Sequence, residues 1–434
     1  MKQIKSKLNK KITRRSFSKL LSLPLIVSPQ VLGWRHATAA NDRIGLGVIG
    51  LGTMGKGHLY DEAWTYMKGG YINREDVQIV GVCDVWKTRA EENQDRINQY
   101  YVNKKRTEGY KACEAYRDFR DLLANDDINA ALITTPIHWH ATMAVFAAQA
   151  GKDIYCEKPT AVTIHESQAV QKAVTEHKRV YQAGTQQRSE YEGRFRIAAE
   201  YVRSGRIGQL KEVYAFRPGG GAAWDVPAGE EKPLPVGFDW DLWLGPAPKR
   251  EYEGRWDAHF FGYGGINWGQ HHYDIVQWTL NTDETGPVEL SVEEGGAVYR
   301  YANGVVVYAR PYPGSNISET GGAWFIGTEG KIAVDREHLI SEPASILETP
   351  LKENDVHLFK SPGHSVNFIE CIRSRELPVC NQHIAHHSVS VLLLGGIAQQ
   401  LNRKLTWDPQ KEMFINDDEA NKLLDLPKRE PWVL

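Results

Sequence analysis

Cysteine is scarce in this sequence. Cys83, Cys113, Cys156, Cys371 and Cys380 are the only five in 434 residues, and no C-x-x-C pair occurs. An odd count without paired spacing speaks against a disulfide framework; a bridge between Cys371 and Cys380 is the one pairing left open. A long apolar run is also absent. The stretch from Leu20 to Val27 is interrupted by Pro24 and falls far short of the roughly 20 residues that cross a bilayer. No internal repeat or low-complexity segment is found. Residues 1–39 lack acidic side chains altogether but hold nine basic ones, so the remainder carries 43 basic against 54 acidic residues. A body that acidic has no general electrostatic attraction to nucleic acid or to an anionic membrane. What is present is an ordinary globular composition, 41% hydrophobic and 24% charged with 39 Gly and 20 Pro, which excludes disordered, collagenous and coiled-coil classes. The length suits two domains. The 13 Trp and 19 Tyr are the unusual part.

The basic start reads as an address. Lys2 to Lys11 precede Thr13-Arg14-Arg15-Ser16-Phe17, then the short apolar run, then Ala37-Thr38-Ala39. This is the layout of a signal peptide with a twin-arginine core. It implies export of a folded protein to a bacterial periplasm and removal of residues 1–39.

Residues 40–160 alternate strand and helix patterns, which predicts a parallel sheet with helices on both faces. Ile44–Ile49 is an apolar strand, Val77–Cys83 a second, Asn129–Thr135 another, and Asp153–Cys156 a fourth. Residues 161–434 change character. After a helix near 163–178, the strand candidates lengthen: Leu210–Phe216, Val288–Tyr301, Val305–Arg310 and Trp324–Val334, with a hairpin signal at Asn303-Gly304. The expected fold is α/β followed by α+β: a Rossmann domain, then a second domain with a largely antiparallel or mixed open sheet, the C-terminal segment packing back. The Gly-, Pro- and Trp-rich stretch 218–265 is long for a structureless loop and reads as functional.

Gly50-Leu51-Gly52-Thr53-Met54-Gly55 follows the first strand and opens a helix, the context in which G-x-G-x-x-G binds a dinucleotide. The first glycine permits the tight turn, the second lets the backbone approach a pyrophosphate, and the third allows close helix–strand packing. Thr53 and Met54 belong to the same cradle. Asp84 ends the second strand, where a carboxylate accepts from a ribose 2′-hydroxyl and repels a 2′-phosphate. NAD is therefore expected over NADP, with Lys87 and Arg89 nearby keeping NADP open.

Thr134-Thr135-Pro136-Ile137-His138-Trp139-His140 and Glu157-Lys158-Pro159, each at the end of a Rossmann strand, closely resemble the Gfo/Idh/MocA oxidoreductases, a family that includes glucose–fructose oxidoreductases and inositol dehydrogenases. The resemblance continues through Gly184-Thr185-Gln186-Gln187-Arg188, Asp239-Trp240-Asp241-Leu242-Trp243-Leu244-Gly245-Pro246, Gly327-Thr328-Glu329-Gly330 and Asn402-Arg403-Lys404-Leu405-Thr406-Trp407-Asp408-Pro409, and covers essentially all of 43–434. It implies that Thr135, Pro136, His138, His140 and Glu157 meet the cofactor, that Lys158 holds the substrate beside the nicotinamide, and that the second sheet forms a homo-oligomer contact, as a dimer or tetramer.

A lysine at the carboxyl end of a parallel strand points into the ligand crevice, where its ammonium can stabilise alkoxide character. In Asn267-Trp268-Gly269-Gln270-His271-His272-Tyr273-Asp274, a helix would set Asn267 and His271 one turn apart on one face. A histidine suits removal of a hydroxyl proton near neutral pH. The resemblance implies that His271 is the acid/base. It also implies a carboxylate where Asn267 stands; an amide there orients the ring but leaves a weaker base. His272 and Tyr263 are rival bases. Gln187, Arg188, Trp243 and His272 are expected to reach substrate, with an internal salt bridge the other reading for Arg188. Among the 15 histidines, His271-His272, His364, His383 and His386-His387 are the candidate metal ligands, but adjacent helical histidines diverge and no metal is expected. Trp224, Trp240, Trp243, Tyr252 and Trp256 are candidates for sugar stacking or for an interface.

The expected activity is NAD-dependent hydride transfer at a secondary hydroxyl of a sugar, cyclitol or glycoside. Because free NAD is scarce outside the cytoplasm, the cofactor is expected to stay bound and be recycled. A redox-neutral glycoside hydrolase or lyase working through a transient keto-sugar is one alternative. A non-catalytic sugar-binding or sensing protein is the other.

Overall fold

Ile44–Ile49 (β1) is apolar along its whole length and buried at every position, the pattern of a parallel strand covered on both faces. It forms the centre of a six-stranded sheet. Chain order runs β1, α1 (Thr53–Tyr60), β2 (Val77–Cys83), α2 (Lys87–Lys105), β3 (Glu114–Tyr116), α3 (Phe119–Leu123), β4 (Ala130–Ile133), α4 (His140–Gln149), β5 (Asp153–Cys156), α5 (Ile164–Glu176) and β6 (Tyr181–Ala183). The strands lie in the order β3-β2-β1-β4-β5-β6 and all pair in parallel. This is the doubly wound order whose ligand crevice opens at the ends of β1 and β4, where the strand order reverses. The computed structural model describes residues 42–434 apart from 64–66, 106–111, 216–228, 255–265, 295, 316 and 318–321. The leader expected at 1–39, and Trp224, Trp256 and Tyr263, lie outside the described residues.

The parallel sheet continues to Ala183, so the boundary expected at 160 falls too early. α5 and β6 complete the Rossmann unit: Ile154 N bonds Val180 O at 2.8 Å and β6 pairs with β5. α5 starts as its sequence dictates, with Thr163 as N-cap accepting from the Glu166 amide at 3.1 Å.

The second sheet has nine strands. Beyond α6 (Arg194–Arg203), β7 (Leu210–Ala215), α7 (Trp240–Leu244) and α8 (Ile266–Leu280) come β8 (Glu289–Glu293), β9 (Gly296–Arg300), β10 (Val306–Tyr308), β11 (Ala323–Gly327), β12 (Lys331–Val334) and β13 (Leu339–Glu342). Then follow α9 (Ser345–Glu348), α10 (His364–Ser374), α11 (Gln382–Leu401), β14 (Leu405–Asp408), β15 (Met413–Phe414) and α12 (Asp418–Lys422). The order is β13-β12-β11-β7-β10-β9-β8-β14-β15. Among the described residues only β10 and β7 pair in parallel, so the sheet is mixed, as expected.

Two stretches read as single strands are hairpins. Val288–Tyr301 folds back between Glu293 and Gly296, with Glu294 left-handed at φ 48°. Trp324–Val334 turns at residues 328–330. Alternation alone did not reveal either break, because each turn is short and flanked by residues of the same pattern. The Asn303-Gly304 hairpin joins β9 to β10, with Gly304 at φ 85° and the Val305 amide bonded to Asn303 Oδ1 at 3.1 Å.

One face of this sheet packs on α8 and α11 through Val213, Tyr299, Val307 and Phe325, all fully buried. The alternate residues Tyr214, Tyr308 and Trp324 form a separate aromatic cluster with Tyr312 on the other face. The C-terminal segment packs back, with Trp432 against Trp139 at a ring distance of 4.8 Å and Arg429 N bonded to Pro246 O at 2.9 Å. All five cysteines are free and buried, so Cys371 and Cys380 are not bridged. Among the described residues no helix is long and apolar enough to cross a membrane.

Candidate active site

The turn after β1 separates the three glycines by function. Gly50 has φ 91°, and a Cβ there would lie 2.8–2.9 Å from the backbone of Thr134 and Thr135. At Gly55 a Cβ would meet the Gly50 carbonyl oxygen at 2.1 Å, so the third glycine lets α1 sit on the turn. A Cβ on Gly52 would meet nothing within 4 Å. Gly52 is the N-cap of α1 and offers no side chain to its first amides, which leaves those donors for an anion.

These residues open into a cavity of about 640 Å³. Of the candidates named from the sequence, Gly50, Gly52, Thr53, Met54, Asp84, Thr135, Pro136, His140, Glu157, Lys158, Trp243 and Asn267 line it, whereas Gly55, His138, Gln187, Arg188, His271 and His272 do not. Asp84 accepts from the amides of Leu51 and Trp86, each at 2.9 Å. Each carboxylate oxygen keeps lone-pair capacity for a ribose hydroxyl. The Arg89 guanidinium stands 3.6 Å from Asp84 and over the Trp86 ring.

Lys158 leaves the end of β5 and its Nζ donates to Asn267 twice, to the backbone oxygen at 2.7 Å and to Oδ1 at 3.1 Å. It also lies 5.3 Å from the centre of the Trp268 ring. α8 is pinned in place one turn on. Gln270 Oε1 accepts from the Thr160 amide at 2.9 Å while its Nε2 reaches Ser388 and Ala385 of α11. The loop behind Lys158 therefore cannot move independently of Asn267.

Glu157 faces inward. Its Oε1 accepts from His58 Nε2 at 2.9 Å and from Gln186 Nε2 at 3.2 Å, and a Cβ on Gly184 would overlap the carboxylate at 2.7–2.9 Å. Burial alone would raise its pKa. The His58 hydrogen bond and charge, with Lys158, outweigh burial and hold it ionised below the usual range. Sequence reasoning missed His58 and Gln186; the available signal for His58 was its place one turn after Gly55 on the buried face of α1.

His140 spends both ring nitrogens on its own chain, Nδ1 with Pro159 O at 2.7 Å and Nε2 with Thr135 O at 2.8 Å. These bonds tie the ends of β4 and β5 together, and the ring remains on the cavity wall. His138, also expected to meet the cofactor, does not line the cavity. Its Nε2 bonds Trp243 O at 2.9 Å, and burial lowers its pKa to about 4.

His271 is buried beside Trp268 and does not line the cavity. Its Nδ1 has no partner among the described residues. Burial first, then the charges of Lys158 and Arg336, lower its pKa well below the ordinary value, so the ring is neutral. His272 is buried as well. Gln187 is buried with neither amide end bonded among the described residues. An orphaned buried polar group costs about 1–3 kcal/mol.

Arg188 differs. Its guanidinium is fully buried and grips Asp274 at 2.8 and 2.9 Å and Asp283 at 2.7 and 2.9 Å. These bonds match the internal salt bridge, the other reading of Arg188, and Arg188 does not line the cavity. Trp243 stacks on Trp240 at 4.7 Å, and Tyr252 meets Trp240 edge-on at 5.1 Å. These aromatics are the packed foot of a strap, residues 229–254, that crosses to the Rossmann side. Lys87 N bonds Gly237 O and Asp239 N bonds Val85 O, each at 2.9 Å, while Phe238 sits 5.7 Å from Trp86.

Comparison with known proteins agrees with the fold. Residues 44–185 match the model for an oxidoreductase family, NAD-binding Rossmann fold, and residues 225–434 match the same family's C-terminal alpha/beta domain. Inositol 2-dehydrogenase of Salmonella typhimurium is 32% identical over 169 residues, 39% of this chain and 44% of that protein. A glycosyl hydrolase family 109 protein of Shewanella putrefaciens is 31% identical over 125 residues, 29% of this chain and 24% of that protein. Both matches span less than half of the relative's length. Among solved structures, the WlbA dehydrogenase of Bordetella pertussis in complex with NADH and UDP-GlcNAcA has a TM-score of 0.56 at 17% identity, over 84% of this chain and 98% of that one. The myo-inositol 2-dehydrogenase of Lactobacillus plantarum scores 0.53 at 15% identity, over 84% and 99%. These two show a shared fold.

Proposed function

The chain belongs to the Gfo/Idh/MocA oxidoreductase family, and from that premise we propose that it moves hydride at a secondary hydroxyl of a sugar, cyclitol or glycoside with a nicotinamide cofactor that stays bound between turnovers. The observation that carries this reading is the Lys158–Asn267 pair at the wall of the dinucleotide cavity. Bound NAD supplies the hydride acceptor and, in reverse, the donor. Gly50, Gly52 and the first amides of α1 hold its pyrophosphate, and Asp84 its ribose. The Lys158 ammonium binds the reacting hydroxyl and stabilises negative charge on its oxygen. Asn267 aims that ammonium. His271, a neutral imidazole with Nδ1 uncommitted among the described residues, takes the hydroxyl proton. Gln187 supplies an amide to the remaining hydroxyls.

Retention of the cofactor is supported by the strap across Val85–Lys87 and by the twin-arginine pattern at Arg14-Arg15, which together suit a protein that is exported to the periplasm loaded. A redox-neutral cycle is favoured by the same strap and by the family 109 relatives. In it, oxidation of one hydroxyl acidifies the neighbouring C–H, the glycosidic bond leaves by elimination, water adds, and the ketone is reduced. The aromatic face of the nine-stranded sheet supports a homo-oligomer contact there.

The test is to denature the purified protein, identify any released nucleotide by mass spectrometry, and incubate intact protein with simple glycosides. Near-stoichiometric NAD(H) with turnover supports the proposal. Turnover without net NADH selects the redox-neutral form. Absence of both nucleotide and turnover leaves the sugar-binding reading standing, with Asn267 marking lost catalysis.

A further inference from the structure

Outside the cofactor cavity, three side chains that the sequence keeps apart come together. His386 and His387 on α11 and Glu412 in the turn between β14 and β15 place one donor atom each within 4.8 Å of one another. The divergence expected of adjacent helical histidines is overcome, with ring centres 4.9 Å apart at an angle of 57°. We propose that these three residues bind a divalent transition cation of the zinc class, joining α11 to the β14–β15 turn.

The chemistry matches. Two imidazoles and one carboxylate are a borderline donor set that prefers zinc, nickel or copper to magnesium or calcium. Donor atoms about 2.0–2.1 Å from a tetrahedral ion lie about 3.4 Å from each other, so the observed spread closes by small side-chain rotations. The surrounding shell is built as well. Ser167 Oγ meets His386 Nδ1 at 2.8 Å, and Gln168 Nε2 donates to Glu412 Oε2 at 2.6 Å. Both partners come from α5, and each orients a ligand by its second polar atom. His386 Nε2 is bonded to Glu412 Oε1. Cation binding would replace that bond, with Ser167 still holding His386 through Nδ1. His386 is buried, whereas His387 and Glu412 are partly exposed, which leaves an entry path and room for water as a fourth ligand. None of the three lines the cofactor cavity, so the cation acts on stability and not on hydride transfer.

The test uses the full chain purified without a histidine tag, stripped with chelator and titrated with zinc chloride by calorimetry. One-to-one saturable binding is expected, with a melting temperature that rises with zinc. Magnesium chloride is expected to do neither. His387→Gln and Glu412→Gln are each expected to weaken binding by about tenfold or more. His387→Gln is the decisive variant, because its partly exposed ring leaves folding intact; it alone decides if Glu412→Gln does not fold. No saturable zinc binding, equal binding of magnesium, or unchanged affinity in His387→Gln overturns the site.

Discussion

Lys158 reaches Asn267 through both of that residue's oxygens, at 2.7 and 3.1 Å, so one ammonium couples the end of β5 to the first turn of α8. Two elements more than a hundred residues apart in sequence thus meet at the wall of the dinucleotide cavity. The neutral amide leaves the ammonium charge undiminished beside His271, and that charge is one of the causes that lower the imidazole's pKa.

Replacement of this pair separates charge from geometry. Lys158→Ala is expected to lower kcat/KM by about a hundredfold to a thousandfold, the cost of losing a donor to developing negative charge, while nucleotide content is kept. Asn267→Asp is expected to preserve or raise kcat and to move the acidic limb of the pH–rate profile to higher pH, because a carboxylate stabilises the imidazolium. Normal sugar turnover by Lys158→Ala would remove Lys158 from the site.

The three glycines of the β1–α1 turn are expected to fail in different ways. Gly55→Ala drives a methyl into the Gly50 carbonyl and Gly50→Ala strains a left-handed residue, so both lose stability, by about 1–3 kcal/mol for the strained position. Gly52→Ala meets no protein atom within 4 Å. It is expected to melt like the parent once nucleotide is removed, within about 0.5 kcal/mol, yet to retain less NAD. Parallel melting curves and nucleotide assays check this. Full retention by Gly52→Ala would mean that the pyrophosphate does not approach that residue.

The glycine turn, Asp84 and Lys158 were legible because each is dictated locally. A turn that needs positive φ, a strand end and a strand-terminal lysine leave their marks within a few residues. His58 and Gln186 were not legible, because their role is set by Glu157, which reaches them only after β5 and β6 pair. Arg188 was ambiguous for a related reason. A guanidinium beside a ligand motif fits a substrate, and only the packing of α8 supplies Asp274 and Asp283 as partners. His138 follows the same logic. Its place in the sequence is that of a cavity residue, but the Trp243 carbonyl, brought in by the folded chain, takes its Nε2.

Arg188→Met is expected to destabilise the fold by about 3–5 kcal/mol, since it strands two carboxylates that the guanidinium now compensates, one of them fully buried. Burial already lifts the Asp274 pKa to about 6 against the pull of Arg188. The measurement is denaturant unfolding, paired with KM for the sugar at low temperature. Unchanged stability with a raised KM would return Arg188 to the ligand site.

Acid sensitivity provides the last test. His364 is fully buried, with Nε2 on Ala183 O at 2.7 Å and Nδ1 on Ser189 Oγ at 3.0 Å, and burial lowers its pKa to about 4. The folded protein resists a proton that the unfolded chain accepts at its ordinary value of about 6.5. Stability is therefore unaffected above about pH 6.5 and falls as pH drops from there toward 4, by about 3 kcal/mol for this one ring at the low end. Asp274 works in the opposite sense between about pH 3.8 and 6, because its raised pKa lets the folded state bind a proton first. Comparison with His364→Gln cancels that contribution. The variant keeps a neutral side chain of similar reach, so its unfolding free energy is expected to fall less than the parent's between pH 6.5 and 4. Parallel curves across that range would show that His364 takes up its proton as readily in the folded state as in the unfolded chain.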